Sequence, residues 1–302
     1  MRIMVTGSNG LIGRELVKAL RSRGDEVLRL LRDRSIGGDS VYWDPNNGKI
    51  DATQLDGLDA VVHLAGENVA AGRWTRARKG RILHSRAQGT ALLAEVLSGL
   101  DRRPKVLVSA SAVGYYGNSG AAVVDELAPR GDTFLSEVCV AWEAAADPAR
   151  AAGIRVVHPR FGVVLARSGG ALGRMLPVFR AGLGGRLGDG GAWMSWVTLT
   201  DAISAITVCL QDGGPSGPVN IVSPNPVTNA EFTRTLARVL RRPAVLPVPA
   251  VVIRALFGEM GRELLLASVR ARPGRLEQWG FRFARHEIGG ALRAVLNDGN
   301  GV

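Results

Sequence analysis

The sequence predicts an α/β fold, in which a doubly wound parallel sheet carries a smaller lobe towards the C-terminus. Two observations predict it. Short apolar runs alternate with amphipathic helical stretches through the first half of the 302 residues, a pattern typical of parallel sheets wrapped by helices. A glycine-rich turn separates the first apolar run from the first helical stretch, and such turns open the nucleotide-binding type of sheet.

The first half supplies six predicted strands and three predicted helices. The strand at 60–64 is nearly all apolar, as expected of a strand covered on both faces. We expect the six strands to take the spatial order 3-2-1-4-5-6. The strands are 2–5, 26–31, 41–43, 60–64, 105–109 and 155–158, and the helices are 11–22, 75–100 and 137–152.

The second half is less regular. Residues 162–191 hold ten glycines in thirty positions and predict a loop with one short helix near 171–180. Strands near 196–199 and 219–222 are expected to return to the sheet. Thr228 and Glu231 form a capping-box pair that opens a helix reaching about residue 240.

The predicted domains divide at a proline-rich stretch, 243–249. Residues 1–242 form a nucleotide-binding domain with its core in 1–165, and 243–302 form a small, mostly helical C-terminal segment. The smaller lobe is expected on the substrate side, built from the glycine-rich loop and this segment.

Charge and composition exclude several classes. The net charge is +11, but only four of the 38 basic residues are lysine, and the arginines are spread along the whole chain with an aromatic share of 5%. Nucleic-acid binders more often concentrate charge and interleave aromatics, so we expect no nucleic-acid partner. No apolar run approaches the ~20 residues of a membrane span, and neither cysteine has metal-site spacing. We expect a cytoplasmic monomer or homodimer without metal or membrane contact.

The glycine turn predicts a dinucleotide site. Gly7, Gly10 and Gly13 follow a strand and open a helix, which is the context that a Gly-x-x-Gly-x-x-Gly motif requires. The first glycine permits the tight turn, the second lets backbone approach a pyrophosphate, and the third lets helix and strand touch. The pyrophosphate then lies on the helix N-terminus, which favours anions.

The end of the second strand bears on which nucleotide is bound. NAD sites place an acid there for the ribose 2′-hydroxyl, but Leu31 occupies that place and Arg32, Asp33 and Arg34 follow. Guanidinium pairs well with a 2′-phosphate, so NADP(H) is favoured over NAD(H). The alternative is that both arginines are solvated and Asp33 reaches the ribose.

Three segments together resemble a known family. They read TGSNGLIG at 6–13, DAVVHLAG at 59–66 and SASAVGYYG at 109–117. The chain resembles the extended short-chain dehydrogenase/reductases of Rossmann fold and, more narrowly, their nucleoside-diphosphate-sugar epimerase-like "epimerase family" group, whose members end in a small domain of unknown function. The resemblance covers essentially the whole chain. It implies that NADP(H) is held by Thr6, Gly7, Asn9, Gly10, Leu11, Ile12, Gly13, Arg32, Leu64, Ala65, Gly66, Ser109 and Arg160.

The catalytic pair of the resembled enzymes is missing. Those enzymes transfer a proton from a tyrosine whose pKa is lowered by a lysine four residues on. No Tyr-x-x-x-Lys occurs in this chain. By position, Leu135 and Cys139 occupy the two places, and Arg86 stands where the resembled enzymes carry a structural asparagine. Cys139 is either a proton donor or a small core residue.

Three hydroxyls are candidates to replace the pair. Ser111 follows the fifth strand, at the edge of the sheet where ligands bind, and matches the serine that contacts substrate in the resembled enzymes. Tyr115 and Tyr116 follow in a glycine-flanked turn; the alternative is that both pack against neighbouring loops. Trp74, Trp193 and Trp196 either line a pocket or belong to the core, and His63, inside an apolar strand, predicts a core histidine.

These observations predict an NADP(H)-dependent oxidoreductase or epimerase-like enzyme with a non-standard active site. Its substrate is expected to be a small polar molecule, either nucleotide-linked or a small carbonyl compound. The arginines of 162–191 suit the diphosphate of a nucleotide-linked substrate. The alternative is a non-catalytic NADPH-binding regulator, for example of cell division, which the missing pair favours.

Overall fold

One large sheet of nine strands organises the molecule. The computed structural model describes residues 1–33 and 38–297. Its strands are β1 (Arg2–Thr6), β2 (Glu26–Leu31), β3 (Ser40–Asp44), β4 (Lys49–Ile50), β5 (Ala60–His63), β6 (Val106–Ser109), β7 (Ser111–Ala112), β8 (Val123–Val124), β9 (Arg155–Phe161), β10 (Val163–Leu165), β11 (Trp193–Met194), β12 (Trp196–Thr198), β13 (Gly217–Ile221), β14 (Val227–Thr228) and β15 (Arg270–Ala271).

The helices cover both faces of that sheet and build the smaller lobe. They are α1 (Leu11–Ser22), α2 (Arg76–Ser98), α3 (Phe134–Ala144), α4 (Asp147–Ala151), α5 (Gly170–Arg180), α6 (Leu199–Leu210), α7 (Asn229–Leu240), α8 (Ala250–Met260), α9 (Gly274–Gln278) and α10 (Ile288–Asn297). Thr228 caps α7 by accepting from the Glu231 amide, as the sequence predicts. The short helix expected near 171–180 is α5.

The strand order confirms the predicted doubly wound sheet. The order is β13-β9-β6-β5-β1-β2-β3-β4, with β7 also paired to β9. Its central part, β3-β2-β1-β5-β6-β9, is the predicted 3-2-1-4-5-6 order. These strands pair in parallel, β13 adds a further parallel strand, and β4 is antiparallel to β3.

Two expectations about the elements are wrong. The strand at 196–198 pairs in parallel with β10 instead of returning to the large sheet. Gly162 explains this course, because a Cβ there would lie 2.6 Å from the Ser195 carbonyl oxygen, so only glycine allows the two segments to approach. The helix expected over 137–152 is two helices, since Pro148 fits the first turn of α4 but not a helix interior.

Apolar residues alternate between the two faces of the sheet. In β1, Ile3 and Val5 belong to one buried cluster and Met4 to the cluster on the opposite face. This period of two, with both faces covered, is why the central strands are apolar throughout. The carboxyl ends of the strands are left as the open edge.

The smaller lobe has its own core. Residues of β10, α5, α7 and α10 meet there, among them Leu165, Leu172, Leu236 and Leu292. The core therefore draws on residues from both sides of the predicted division at 242/243. The C-terminal segment is packed against the rest of the lobe.

Among the described residues, no helix is both long and apolar enough to cross a membrane. The cytoplasmic location and the monomeric or dimeric state stay predictions.

Candidate functional site

The carboxyl ends of three neighbouring strands bring the predicted residues together. Thr6 of β1 pairs with His63 of β5, and His63 pairs with Ser109 of β6. The loops that follow these strands carry most of the residues expected at a cofactor. This is the edge at which open α/β sheets bind ligands.

The glycine turn has the geometry of an anion site. Gly7 has φ +64, and a Cβ there would lie 2.8 Å from the Leu64 carbonyl carbon. A Cβ on Gly13 would collide with the Gly7 carbonyl oxygen, so α1 can start this close to β1 only with glycine. Gly10 is the N-cap of α1 and supplies no side-chain cap, which leaves backbone N–H groups for an anion. The turn fits a dinucleotide pyrophosphate.

Thr6 ties the turn to the loop after β5. Its Oγ1 accepts from the Leu64 and Ala65 amides, at 3.1 and 3.2 Å, and lies 2.7 Å from His63 Nδ1. Because both amides can only donate, the hydroxyl proton goes to Nδ1, and a neutral His63 carries its proton on Nε2. The family resemblance implies that Thr6, Leu64 and Ala65 contact the cofactor. The structure joins all three through the hydrogen bonds of the Thr6 hydroxyl.

His63 is a core residue, as the sequence predicts. It is fully buried, and burial lowers its pKa to about 4, with the Arg86 charge adding to the shift. It is therefore neutral at physiological pH. A permanently neutral, buried imidazole is no general base for a substrate at the open edge.

The other residues expected at the cofactor differ in their solvent exposure. Asn9, Gly10 and Gly66 are exposed, Leu11 and Ile12 are partly buried, and Arg32 is exposed directly after β2. Arg34 lies outside the described residues. Ser109 is fully buried, and its Oγ has no hydrogen-bond partner among the described residues. The exposed residues lie in loops at the open edge of the sheet, where a bound cofactor could contact them.

A cavity of about 320 Å³ adjoins this edge, between α3 and the smaller lobe. Most of its wall is apolar. Arg86 and Glu263 are the charged residues that line it. Among the apolar lining residues are Val138, Phe161, Met175, Trp193, Leu264 and Val269.

Leu135 and Cys139 of α3 both line the cavity. The resemblance puts these two residues in the places of the catalytic tyrosine and lysine, and it therefore implies that the missing pair would have faced this cavity. The Cys139 thiol donates to the Ala112 carbonyl at 3.6 Å, and burial, with Glu143 nearby, raises its pKa to about 11. Cys139 is a buried, protonated thiol, which agrees with the core interpretation.

Arg86 replaces the expected asparagine. Its Nη1 donates to the Glu67 and Ile82 carbonyls, at 3.0 and 3.2 Å, and its guanidinium carbon lies 4.8 Å from the centre of the Trp142 ring. Burial lowers the pKa of Arg86, although an arginine stays charged at physiological pH. The cavity therefore has one fixed positive charge in its wall.

Glu263 was missed by the sequence analysis. Its two carboxylate oxygens accept from the amides of Phe134 and Leu135, at 3.3 and 3.0 Å. A carboxylate at a helix N-terminus is favourable, so Glu263 joins the C-terminal lobe to the start of α3. No motif marks it, because its partners lie 128 and 129 residues earlier in the chain.

The predicted catalytic residues belong to a buried polar network beside the cavity. Ser111 Oγ donates to Glu143 Oε1 at 2.7 Å, and Arg160 holds both oxygens of Glu143 at 2.8 Å. Arg160 Nη1 also donates to the Tyr116 hydroxyl at 3.1 Å. Although burial alone lowers it, the pKa of Arg160 is raised, because Glu143 stabilises its charge. A bidentate pair of this kind is strong and directional.

Both tyrosines are held by the network. Tyr116 donates to Asn220 Oδ1 at 2.8 Å, and burial raises its pKa to about 12. The Tyr115 ring lies under Arg160, 3.4 Å from the guanidinium carbon to the ring centre. The packing alternative for these tyrosines therefore has direct structural support.

Ser111, Tyr115 and Tyr116 do not line the cavity, although the backbone between them does, at Ala112–Gly114. The proton path through these hydroxyls stays a prediction that the contacts disfavour. Arg160 was expected to contact the cofactor, but all three of its nitrogens are already held by Glu143 and Tyr116. Its position points to a structural role.

The three tryptophans differ. Trp193 lines the cavity, whereas Trp196 is fully buried in the core of the smaller lobe. Trp74 packs edge-on against Phe134, with 5.1 Å between ring centres. In the part of the chain that the structure describes, no three His, Cys, Asp or Glu side chains cluster as metal ligands would.

Known proteins resemble this chain along almost its whole length. Residues 3–222 match the NAD dependent epimerase/dehydratase family, and residues 248–295 match a domain of unknown function, DUF1731. An epimerase family protein of Mycobacterium bovis is 44% identical over 290 residues, 96% of each chain. The human epimerase family protein SDR39U1 is 38% identical over 301 residues, 98% of this chain and 100% of the relative.

Solved structures give the same result. The crystal structure of human SDR39U1 (isoform 2) with NADPH has a TM-score of 0.90 and 36% identity, and covers 99% of this chain and 100% of the other. A UDP-glucose 4-epimerase of Thermus thermophilus, at a TM-score of 0.77 and 20% identity with full coverage of both chains, shares the fold. The chain belongs to the NAD dependent epimerase/dehydratase family.

Proposed function

We propose that the protein is an NADP(H)-dependent oxidoreductase that acts on a small molecule in the cavity without a tyrosine–lysine pair. One observation carries the proposal. The uncapped glycine turn and the cavity lie along the same edge of the sheet, and the cavity wall includes Leu135 and Cys139. The site thus keeps the fold's cofactor geometry while the expected acid is absent from its place.

The cofactor would be held by groups whose form suits its parts. The turn from Gly7 to Gly13 suits the pyrophosphate, and the exposed Arg32 suits a 2′-phosphate. The NADPH in the human relative's structure supports the same choice. When bound, NADPH supplies a hydride to an electrophilic carbon.

The chain's own residues would act electrostatically. Arg86 lies in a mostly apolar wall, where a fixed positive charge stabilises negative charge on a substrate oxygen more than it does in water. The apolar walls exclude water from the reacting groups. Leu135 offers no proton, and the Cys139 thiol, with its raised pKa, is a weak acid.

The cavity also bears on the regulatory alternative. A protein that only senses NADPH requires the cofactor site and a partner surface. A mostly apolar cavity of about 320 Å³ at the strand ends is instead what a second, small ligand requires. The geometry favours the enzyme.

Fluorescence titration with NADPH and NADH, followed by stopped-flow oxidation of bound NADPH against a panel of carbonyl compounds, tests the proposal. We expect NADPH to bind more tightly than NADH and at least one compound to speed its oxidation. Failure of NADPH to bind at concentrations up to roughly 1 mM, the upper end of ordinary KM values, would refute cofactor use. Binding without oxidation by any compound would favour the regulator.

A further inference from the structure

We infer that the substrate is a compact, mainly apolar molecule with one acceptor oxygen group, a carboxylate or a carbonyl, which Arg86 holds. The inference rests on the proposed function and narrows its substrate class. It departs from the nucleotide-linked substrate that the sequence leads one to expect.

The size and lining of the cavity favour a compact apolar ligand. Ligand sites range over roughly 300–1,000 Å³, so about 320 Å³ is at the small end. Any cofactor group that enters from the strand edge reduces the space further. An apolar lining favours ligand binding only when the ligand buries apolar surface against it.

Among the charged and hydroxyl side chains of the wall, all but Arg86 are already engaged, whereas the Trp142 Nε1 donor has no partner among the described residues. Ser195 Oγ donates to the Val269 carbonyl, Asn229 Oδ1 accepts from the Leu187 amide, and Thr133 Oγ1 caps α3. Both Glu263 oxygens accept from backbone amides. A sugar, with a hydroxyl on most of its carbons, would leave many polar groups unpaired here, and each unpaired group is costly.

Arg86 is the exception. Among the described residues, only its Nη1 makes hydrogen bonds, both to carbonyls, so Nε and Nη2 keep donors for a ligand. The nearby Glu67 carboxylate pairs with Arg78 instead, at 3.6 Å. Burial makes the Arg86 charge unfavourable, the Glu67 charge offsets part of that cost, and a ligand oxygen would offset more of it.

The loop arginines that suggested a diphosphate do not form a phosphate site in the cavity. Arg167 donates to the Leu296 carbonyl, and Arg174 donates to the Ala70 carbonyl. Neither these two nor Arg180 and Arg186 line the cavity. Among the described lining residues, Arg86 alone would then supply positive charge to both phosphate groups of a diphosphate.

Calorimetric titration of the NADPH-saturated protein tests the inference with three probes: cyclohexanecarboxylate, cyclohexyl methyl ketone and UDP-glucose. We expect the carboxylate, the ketone or both to bind the wild type more tightly than UDP-glucose. Arg86→Met should weaken the bound probe at least 10-fold. Arg174→Gln, a matched change in the glycine-rich loop, should leave the affinity within about twofold, because Arg174 does not line the cavity.

The two cyclohexyl probes separate an anionic group from a neutral one. Arg86→Lys retains the charge and should keep part of the carboxylate affinity, and it serves if thermal unfolding shows that Arg86→Met does not fold. Tighter binding of UDP-glucose, binding of neither cyclohexyl probe, or unchanged affinity in a folded Arg86 variant would each overturn the inference. NADPH binding is measured first on the same samples, so loss of the cofactor, which refutes the proposed function, is seen separately.

Discussion

The cofactor end and the cavity end of the site differ in how closely their residues follow the pattern expected of the fold. At the cofactor end, Gly7, Gly13 and Thr6 meet the backbone demands of a dinucleotide turn. At the cavity end, Leu135 and Cys139 stand where proton-transferring groups are expected. The first end is built from backbone geometry and the second from side-chain chemistry. The fold can therefore keep its cofactor-binding geometry while the side chains around the reacting atoms change. The chemistry at the cavity end then depends on the residues that line the cavity.

The largest expected effect tests the cofactor end. Gly10 has an ordinary φ of −77 as the N-cap of α1, so Gly10→Val should fold after a small shift that relieves a 3.1 Å contact between its Cβ and the Gly7 carbonyl oxygen. The variant places a branched side chain where the pyrophosphate approaches. We expect NADPH affinity to fall at least ~100-fold, about 3 kcal/mol. Fluorescence titration, with circular dichroism to check the fold, measures it.

Gly80→Val is the matched control. Gly80 lies in α2, and a Cβ there would meet nothing within 4 Å. Its NADPH affinity should equal that of the wild type. Equal affinity in Gly10→Val would remove the glycine turn from the cofactor site.

The second effect concerns the buried corner behind the turn. His63 has a folded-state pKa of about 4 and an unfolded value near 6.5. Between these two pKa values the unfolded chain binds more protons than the folded chain. The free energy of unfolding therefore has its full value above about pH 6.5 and falls as the pH drops towards 4. His63 should cost about 2–3 kcal/mol of stability at pH 4.5 relative to pH 7.

Urea unfolding of His63→Asn at both pH values isolates this contribution. Asparagine keeps an acceptor for Thr6 but does not titrate. The variant should lose less stability on acidification than the wild type, whereas His84→Asn, at an exposed position, should lose as much. Identical pH profiles for wild type and His63→Asn would mean that His63 is not buried neutral.

A third, smaller effect tests which cofactor the turn selects. Arg32→Glu replaces the cation that we assign to the 2′-phosphate with an anion. NADPH binding should weaken by ~2 kcal/mol more than NADH binding, roughly 30-fold in selectivity. Arg103→Glu, another exposed position just before β6 at the amino edge of the sheet, should change neither. Equal weakening of both cofactors would exclude Arg32 as the discriminating residue and favour Asp33 at the ribose.

The smallest expected effect tests the position of residue 135 at the cavity end of the site. Leu135→Tyr restores a hydroxyl at the expected place of the acid, and Leu135→Phe provides the same ring without it. Without a lysine the tyrosine titrates near ~10, so its contribution should fall below the usual 10²–10⁴-fold of general acid catalysis. We expect Leu135→Tyr to reduce cyclohexanecarboxaldehyde with NADPH about 10-fold faster than Leu135→Phe. Equal rates would mean that residue 135 is remote from the reacting carbon.

The sequence predicts the features that depend on local pattern. Alternation of strands and helices predicts the strand order, the spacing of Gly7, Gly10 and Gly13 predicts the turn, and the absent Tyr-x-x-x-Lys predicts a non-standard site. Each of these is encoded within a few consecutive residues. The structure agrees with the first two, and the non-standard site stays a prediction.

Features that depend on distant packing were not predictable. The bond between Ser111 and Glu143 joins residues 32 positions apart, and Glu263 reaches α3 from the far end of the chain. The tyrosines follow the correct strand, but the sequence does not show that Arg160 engages both of them. The course of β12 depends on a single close approach at Gly162.

The most direct test of the relation between the two ends is a crystal structure of the protein with NADPH. We predict that the pyrophosphate lies on the N-terminus of α1 and that the nicotinamide ring enters the cavity beside Leu135 and Cys139, with space left next to Arg86. A nicotinamide ring outside the cavity, or a ring that fills it up to Arg86, would contradict the proposal that the cofactor and a small substrate meet there.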